Sequence, residues 1–338
     1  MQPDVSFVIA AYNAEASIAR AIESALAQRD VAVEVIVVDD CSGDRTLEIA
    51  RSLPPEQVKV IALERNRGPG GARNAGLARA TGRWVAVLDS DDTVHPDRLR
   101  RMIARAEAAG AEIAVDNLEV VKETTGARQP MFPAELLESW PELGLADFIA
   151  ANIMFEETFS FGYMKPILGR AFLERHGLRY DETLRIGEDY ILLASALAKG
   201  GSCVIEPNVG YAYHIRDGSI SRAMELHHVE AMLRADAAFL REHRLGAEAK
   251  TAQARRTRSL KQAASFLLLV QHLKARAPLK AVNAALRDPA ALRHLKMPIA
   301  ARLRRLASSL QPAKAASAPG EENILKSAGA RSQTGMTR

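Results

Sequence analysis

The chain has 338 residues, 48% hydrophobic and 25% charged, which excludes a disordered, fibrous or disulfide-framed protein and allows one large domain or two smaller ones. Its two cysteines, Cys41 and Cys203, build no disulfide framework and point to a reducing compartment. The net charge of +4 conceals an asymmetry: residues 1–249 carry 27 Lys and Arg against 38 Asp and Glu, whereas 250–310 carry 14 basic residues and one acid, Asp288.

The N-terminus enters a strand with no basic leader, and apolar runs such as 266–270 are too short to span a bilayer, so a cytoplasmic protein is expected. Short apolar runs at 5–10, 33–38, 58–63 and 84–88 alternate with helical patterns at 16–27, 46–52, 71–80 and 96–109. That alternation predicts an α/β fold, a doubly wound, mostly parallel sheet with helices on both faces. Ligands of such sheets bind at the carboxyl ends of the strands. The unusual polar residues of this half all fall there: Tyr12 and Asn13, then Asp39 and Asp40, then Asp89, Ser90, Asp91 and Asp92.

Three carboxylates after the apolar run 84–88 are costly unless a cation or hydrogen-bond donors meet them. Their oxygens suit Mg2+ or Mn2+ and, through the ion, a diphosphate. The alternative is a helix cap, with Asp91 or Asp92 serving the helix that Pro96 opens. An Asp at the tip of 33–38 can accept from the N3–H of a uracil ring, while Ser42 and Asp44 suit capping and turn formation. No Gly-x-Gly-x-x-Gly follows the first strand and no Walker motif is present, so dinucleotide and P-loop readings lose support. The glycine-rich stretch 68–76 either cradles a phosphate or makes a tight loop. Further on, Phe155, Phe159, Phe161 and Tyr163 form an acceptor platform or pack in the core. Glu188 and Asp189 are either charges favourable at a helix N-terminus or a reactive pair.

Residues 223–309 read as helical, interrupted near Ala277-Pro278, Asp288-Pro289 and Met297-Pro298, and 311–338 lack periodicity and read as disordered. In the basic segment, Arg255, Arg256, Arg258 and Lys261, then Arg302, Arg304 and Arg305, flank apolar stretches. Such helices lie on an anionic membrane surface or pack on the body with a solvated basic face. Aromatic interleaving and DNA-reading motifs are missing, so no nucleic acid partner is expected.

In chain order, Val-Ile-Ala-Ala-Tyr-Asn near residue 8, Ala-Ile-Glu-Ser-Ala-Leu-Ala-Gln, Val-Ile-Val-Val-Asp-Asp-Cys-Ser-Gly-Asp, Gly-Ala-Arg-Asn-Ala-Gly-Leu, Leu-Asp-Ser-Asp-Asp and Gly187-Glu188-Asp189-Tyr190 resemble the family 2 glycosyltransferases, inverting enzymes of the GT-A fold. Lys165-Pro166 and 215–221 look most like bacterial exopolysaccharide transferases of the succinoglycan type. The resemblance implies a GT-A domain over 1–222, with a nucleotide-sugar half 1–115 and an acceptor half 116–222. A basic helical extension, 223–310, and the tail follow. It also implies a UDP-sugar donor, plausibly UDP-glucose, a Mn2+ or Mg2+ cofactor and a lipid-linked oligosaccharide acceptor. By the same resemblance Tyr12 lies on or beside the uracil and Asp40, with Asp39 adjacent, bonds the base. Arg73 and Asn74 lie near the nucleotide or donor sugar, and Asp89 and Ser90 face ribose or sugar. Asp91 ligates the metal with Asp92 in support, and Asp189 is the general base with Glu188 beside it; His214 is either a ligand at the diphosphate or metal, as in some related transferases, or a structural histidine. Ala10 stands where the family often has proline. Two rivals are a catalytically inactive sugar-binding module and a nucleotidyltransferase. The second calls for a Gly- and Arg/Lys-rich loop after the first strand, where Ala11-Tyr12-Asn13-Ala14-Glu15 stands instead.

Overall fold

The computed structural model describes residues 2–140, 142–154, 160–215, 224–290 and 292. Phe155, Phe159, residues 216–221 of the succinoglycan-type stretch, the Met297-Pro298 break, Arg302, Arg304, Arg305 and the tail 311–338 lie outside them.

The first half alternates as its hydrophobic pattern predicts. Strands β1 (Val5–Ala11), β2 (Val33–Asp39), β3 (Val58–Ala62) and β4 (Trp84–Asp89) pair in parallel in the order β3-β2-β1-β4. β1 and β4 are buried along almost their whole length, because helices cover both faces of the sheet. Helices α1 (Ile18–Leu26), α2 (Thr46–Arg51), α3 (Gly68–Leu77) and α4 (Arg98–Ala109) connect them and carry the chain onward. α1 buries Ile18, Ala21, Ile22 and Ala25, one helical stripe.

Two local expectations are corrected. The glycine-rich stretch is the helix α3 itself, and its N-terminal amides are already taken by Asp40. A Cβ on Gly76 would strike Val8 Cγ1, so glycine lets α3 lie directly against β1. Neither Asp91 nor Asp92 caps α4, which starts two residues after Pro96 with Asp97 at its cap position.

The sheet continues through β5 (Thr93–Val94), β6 (Ile113–Lys122), β7 (Ala127–Pro130), β8 (Ile167–Gly169) and β9 (Cys203–Ile215). Beyond β4 the order is β8-β6-β9-β5, with β8 antiparallel to both its neighbours. Helices α5 (Ala134–Glu138), α6 (Leu145–Ala150), α7 (Arg170–Arg175) and α8 (Glu188–Ala198) accompany this half. Arg98 at the start of α4 is fully buried and ties the halves together. It donates to Asp116 of β6 at 2.8 and 2.9 Å and to the Lys165 carbonyl at 2.6 Å, and it lies over the Tyr211 ring of β9. Phe161 packs edge-on against Phe132 and Trp140 in the core, and Tyr163 packs against Tyr213.

Helices α9 (Leu226–Glu242), α10 (Ala247–Lys274) and α11 (Pro278–Arg287) follow, with the Ala277-Pro278 break where proline demands one. A further break falls between Glu242 and Ala247, where no proline marks it. Phe239, Leu245, Ala249 and Ala252 join the same apolar cluster as the sheet. Arg256 is buried, stacks 3.5 Å over the Tyr190 ring and donates to Asp236 and to the Asn152 carbonyl.

Candidate active site

Strand register gathers the acids. Ala10 pairs with Asp89 of β4, and Ala11 with Asp39 of β2, so two small residues of β1 separate two strand-end carboxylates. The loops beyond are laced together. Gly43 N donates to Asn13 Oδ1 at 2.8 Å, Asn13 N to Ser42 Oγ at 3.0 Å, and Glu15 N to Asp44 Oδ2 at 3.1 Å. Ser42 and Asp44 therefore serve the turn, as their types allow. Tyr12, one residue past β1, is 53% exposed at this mouth.

The adjacent aspartates divide their tasks differently from the expectation that Asp40 faces the base. Asp40 accepts from Arg67 N at 2.7 Å and Gly68 N at 2.8 Å, so both its oxygens serve the start of α3. Burial nonetheless pushes its carboxyl above the usual range. Asp39 is buried too. Its Oδ2 accepts from Ser42 N at 3.2 Å, while its Oδ1 has no partner. A buried carboxylate oxygen left without a donor is costly, and it is the acceptor an imide N–H would satisfy.

On the other side of β1 lies a five-membered ionic cluster. Arg73 of α3, buried, donates to Asp89 Oδ1 at 2.6 Å and Glu188 Oε1 at 2.6 Å and stands 3.1 Å from Asp189 Oδ1. Lys165 bridges Asp89 Oδ2 at 2.8 Å and Asp189 Oδ2 at 2.6 Å. Burial opposes ionisation of Asp89, but Lys165 and Arg73 hold its carboxyl well below the usual range. Burial likewise disfavours the Lys165 charge, yet Asp189 and Asp89 keep the ammonium protonated. Glu188, buried beside Arg73 and Asp189, is pushed upward by burial. Gly187 precedes this pair at φ 91°, a left-handed conformation that favours glycine, and so launches α8 with both acids in its first turn.

The cluster separates the remaining site expectations. Asn74 is tied into the fold: its amide donates to the Tyr180 carbonyl at 2.9 Å and to Glu182, and its oxygen accepts from Tyr180 N. Asp92 is turned inward, accepting from Tyr211 Oη and from His214 N, each at 2.8 Å. Burial, with the Asp91 and Asp89 charges, pushes its carboxyl well above the usual range. Both of its oxygens thus brace the strand end, and neither is presented as a metal ligand. His214 Nε2 meets Thr93 Oγ1 at 3.0 Å and its Nδ1 lies 3.3 Å from Glu123, so the ring is structural as arranged. Asp91 is the exposed acid of the three, and Ser90 is half-buried beside it.

Lys165 and Tyr211 carry no local sequence signal as site residues. Tyr211 accepts from Asp89 N at 3.1 Å while donating to Asp92, fixing the tip of β4 from β9. No spacing rule links either residue to the acids; only the sheet order does.

Among the described residues no group of three His, Cys, Asp or Glu is placed to enclose a metal ion. A hard divalent ion at the tip of β4 would meet at most two protein carboxylates and would draw its other oxygens from phosphate and water.

The model for "Glycosyl transferase family 2" matches residues 6–172. The chain is 60% identical over 317 residues to the succinoglycan biosynthesis protein ExoO of Rhizobium meliloti (strain 1021), covering 94% of this chain and 91% of that one. S. aureus TarS 1–349 in complex with UDP-GlcNAc superposes with a TM-score of 0.57 at 21% identity, over 85% of this chain and 92% of that one. The mannosyltransferase PcManGT from Pyrobaculum calidifontis, in complex with GDP-Man and Mn2+, gives 0.58 at 18% identity, over 90% and 81%. Fold and strand-end site together define a glycosyltransferase of the GT-A fold. The chain belongs to glycosyl transferase family 2.

Proposed function

We propose that the chain is a metal-dependent, inverting transferase that moves glucose from UDP-glucose to a growing, lipid-linked oligosaccharide in exopolysaccharide assembly. It works in the cytoplasm, peripherally at the inner face of the membrane. The kinship with ExoO supports the exopolysaccharide role, and the UDP-GlcNAc complex of TarS, a neighbour in fold, supports a UDP-sugar donor. The observation that carries the reading is Lys165, which meets a donor-side acid, Asp89, and an acceptor-side acid, Asp189, at 2.8 and 2.6 Å.

In this reading Asp39 Oδ1 accepts the uracil N3–H and Tyr12 lies on the ring. Asp89, held by Arg73 and Lys165, receives ribose or sugar hydroxyls beside Ser90. Asp91 would hold Mn2+ or Mg2+ together with the diphosphate, and the bound ion supplies neutralisation of the leaving group's charge. The acceptor hydroxyl attacks the anomeric carbon as its bond to the diphosphate breaks. Asp189 takes the hydroxyl proton, and UDP departs. Glu188 and Arg73 hold Asp189 in place.

A panel of UDP-, GDP- and dTDP-sugars with Mn2+, read by nucleotide release, tests the donor. Release from UDP-glucose is expected, lost on adding EDTA and restored by excess Mn2+. Release only from a GDP- or dTDP-sugar overturns the donor assignment. An α-configured product from the α-linked donor, seen by proton NMR, overturns inversion.

A further inference from the structure

Large exposed apolar side chains gather in one part of the described residues. Eight are exposed, and five of them, Leu273, Leu279, Val282, Leu286 and Leu292, fall between the end of α10 and residue 292. α11 turns Ala281 and Ala284 inward. Leu279, Val282 and Leu286 follow at i, i+3 and i+7, one helical stripe, exposed at 86, 56 and 73%. At about 100° per residue, Lys280 and Arg287 fall along one flank of that stripe. Lys274 and Arg276 are exposed just before the helix, and Asp288 is the one acid from 274 to 292. The long basic helix α10 does not offer such a surface, since Arg256, Leu260, Phe266 and Leu269 are buried.

We propose that α11 is the membrane-contact element of this protein. Its Leu279–Val282–Leu286 stripe enters the boundary between headgroups and acyl chains of an anionic bilayer, while Lys274, Arg276, Lys280 and Arg287 meet lipid phosphates. This deepens the peripheral association proposed above and rests on it. A bilayer is the occupant because an apolar phase and negative charge are needed side by side. The helix has 10 residues, and none of the described helices is long and apolar enough to cross a membrane, so it lies in the surface plane.

The test is co-sedimentation of the full chain with vesicles of phosphatidylcholine, with and without phosphatidylglycerol. Binding is expected to the anionic vesicles alone and to weaken with salt. The triple substitution Leu279→Ser, Val282→Ser, Leu286→Ser should lower partitioning at least ~10-fold, with circular dichroism and UDP release unchanged. Lys280→Glu with Arg287→Glu should weaken binding too, a control that leaves the apolar stripe intact. If the native chain ignores both vesicles, the association itself falls. If it binds anionic vesicles and the triple variant binds equally, this face is wrong while the association stands. A native dimer that the triple variant converts to a monomer, without vesicle binding, assigns the stripe to a second copy and overturns the proposal.

Discussion

At Asp39 and Asp40, adjacent residues of the same type do different work. Asp40 spends both oxygens on the α3 amides, and Asp39 keeps one buried oxygen without a donor. Asp39→Ala should therefore weaken UDP binding by ~10–100-fold, the range of a hydrogen bond to a charged group, measured by calorimetry. Asp40→Ala should instead lower stability by about 1–2 kcal/mol through loss of the cap, with a smaller change in UDP affinity; equal effects on binding would reject the division. Asp189, paired with Lys165 at 2.6 Å, carries the other residue-scale prediction. Asp189→Asn keeps the shape but cannot take a proton, so turnover should fall by ~10²–10⁴-fold while UDP affinity is retained. Turnover at the native rate would remove Asp189 from the mechanism.

Between elements, polar side chains lock strands that apolar packing alone would leave free to shift. Glu34 on β2 accepts from Ser6 of β1 at 2.6 Å, from Lys59 of β3 at 2.6 Å and from Thr81 just before β4. Burial acts to raise its pKa, but these donors outweigh it and hold the carboxyl at about 2, below its ordinary 4.5. A folded value below the unfolded one means that the stabilisation is complete above 4.5 and is lost as pH falls from there toward 2. Glu34→Gln should flatten that loss, visible as a melting temperature that changes less than the native one across the same pH window. Arg98 plays the matching part for the second half, where β6, β9 and the segment leading into β8 meet around one buried guanidinium.

For the whole molecule, α9 and α10 belong to the body's core rather than hanging from it. Phe239, Leu245, Ala249 and Ala252 share the sheet's apolar cluster, and Arg256 stacks on Tyr190, the neighbour of Asp189. A chain ending at 222 should therefore lose its cooperative thermal transition or aggregate; a soluble, sharply melting product would show that the GT-A part folds alone. The parallel half, the strand-end positions of Asp39 and Asp89, the place of Asp189 at a helix N-terminus and the break at Pro278 were legible in the sequence. Period-2 and period-3.6 burial, glycine and proline write themselves locally. What only the tertiary structure decided was which partners each polar side chain takes. Asp40 became a helix cap, Asp92 a brace and Asn74 a tie to Tyr180. Lys165 entered the site because β8 lies beside β4, bringing together residues far apart in the chain. Hydrogen bonds and ion pairs act over a few ångströms of space and leave no period in the sequence, so partners chosen by sheet order can be read only after the sheet has formed.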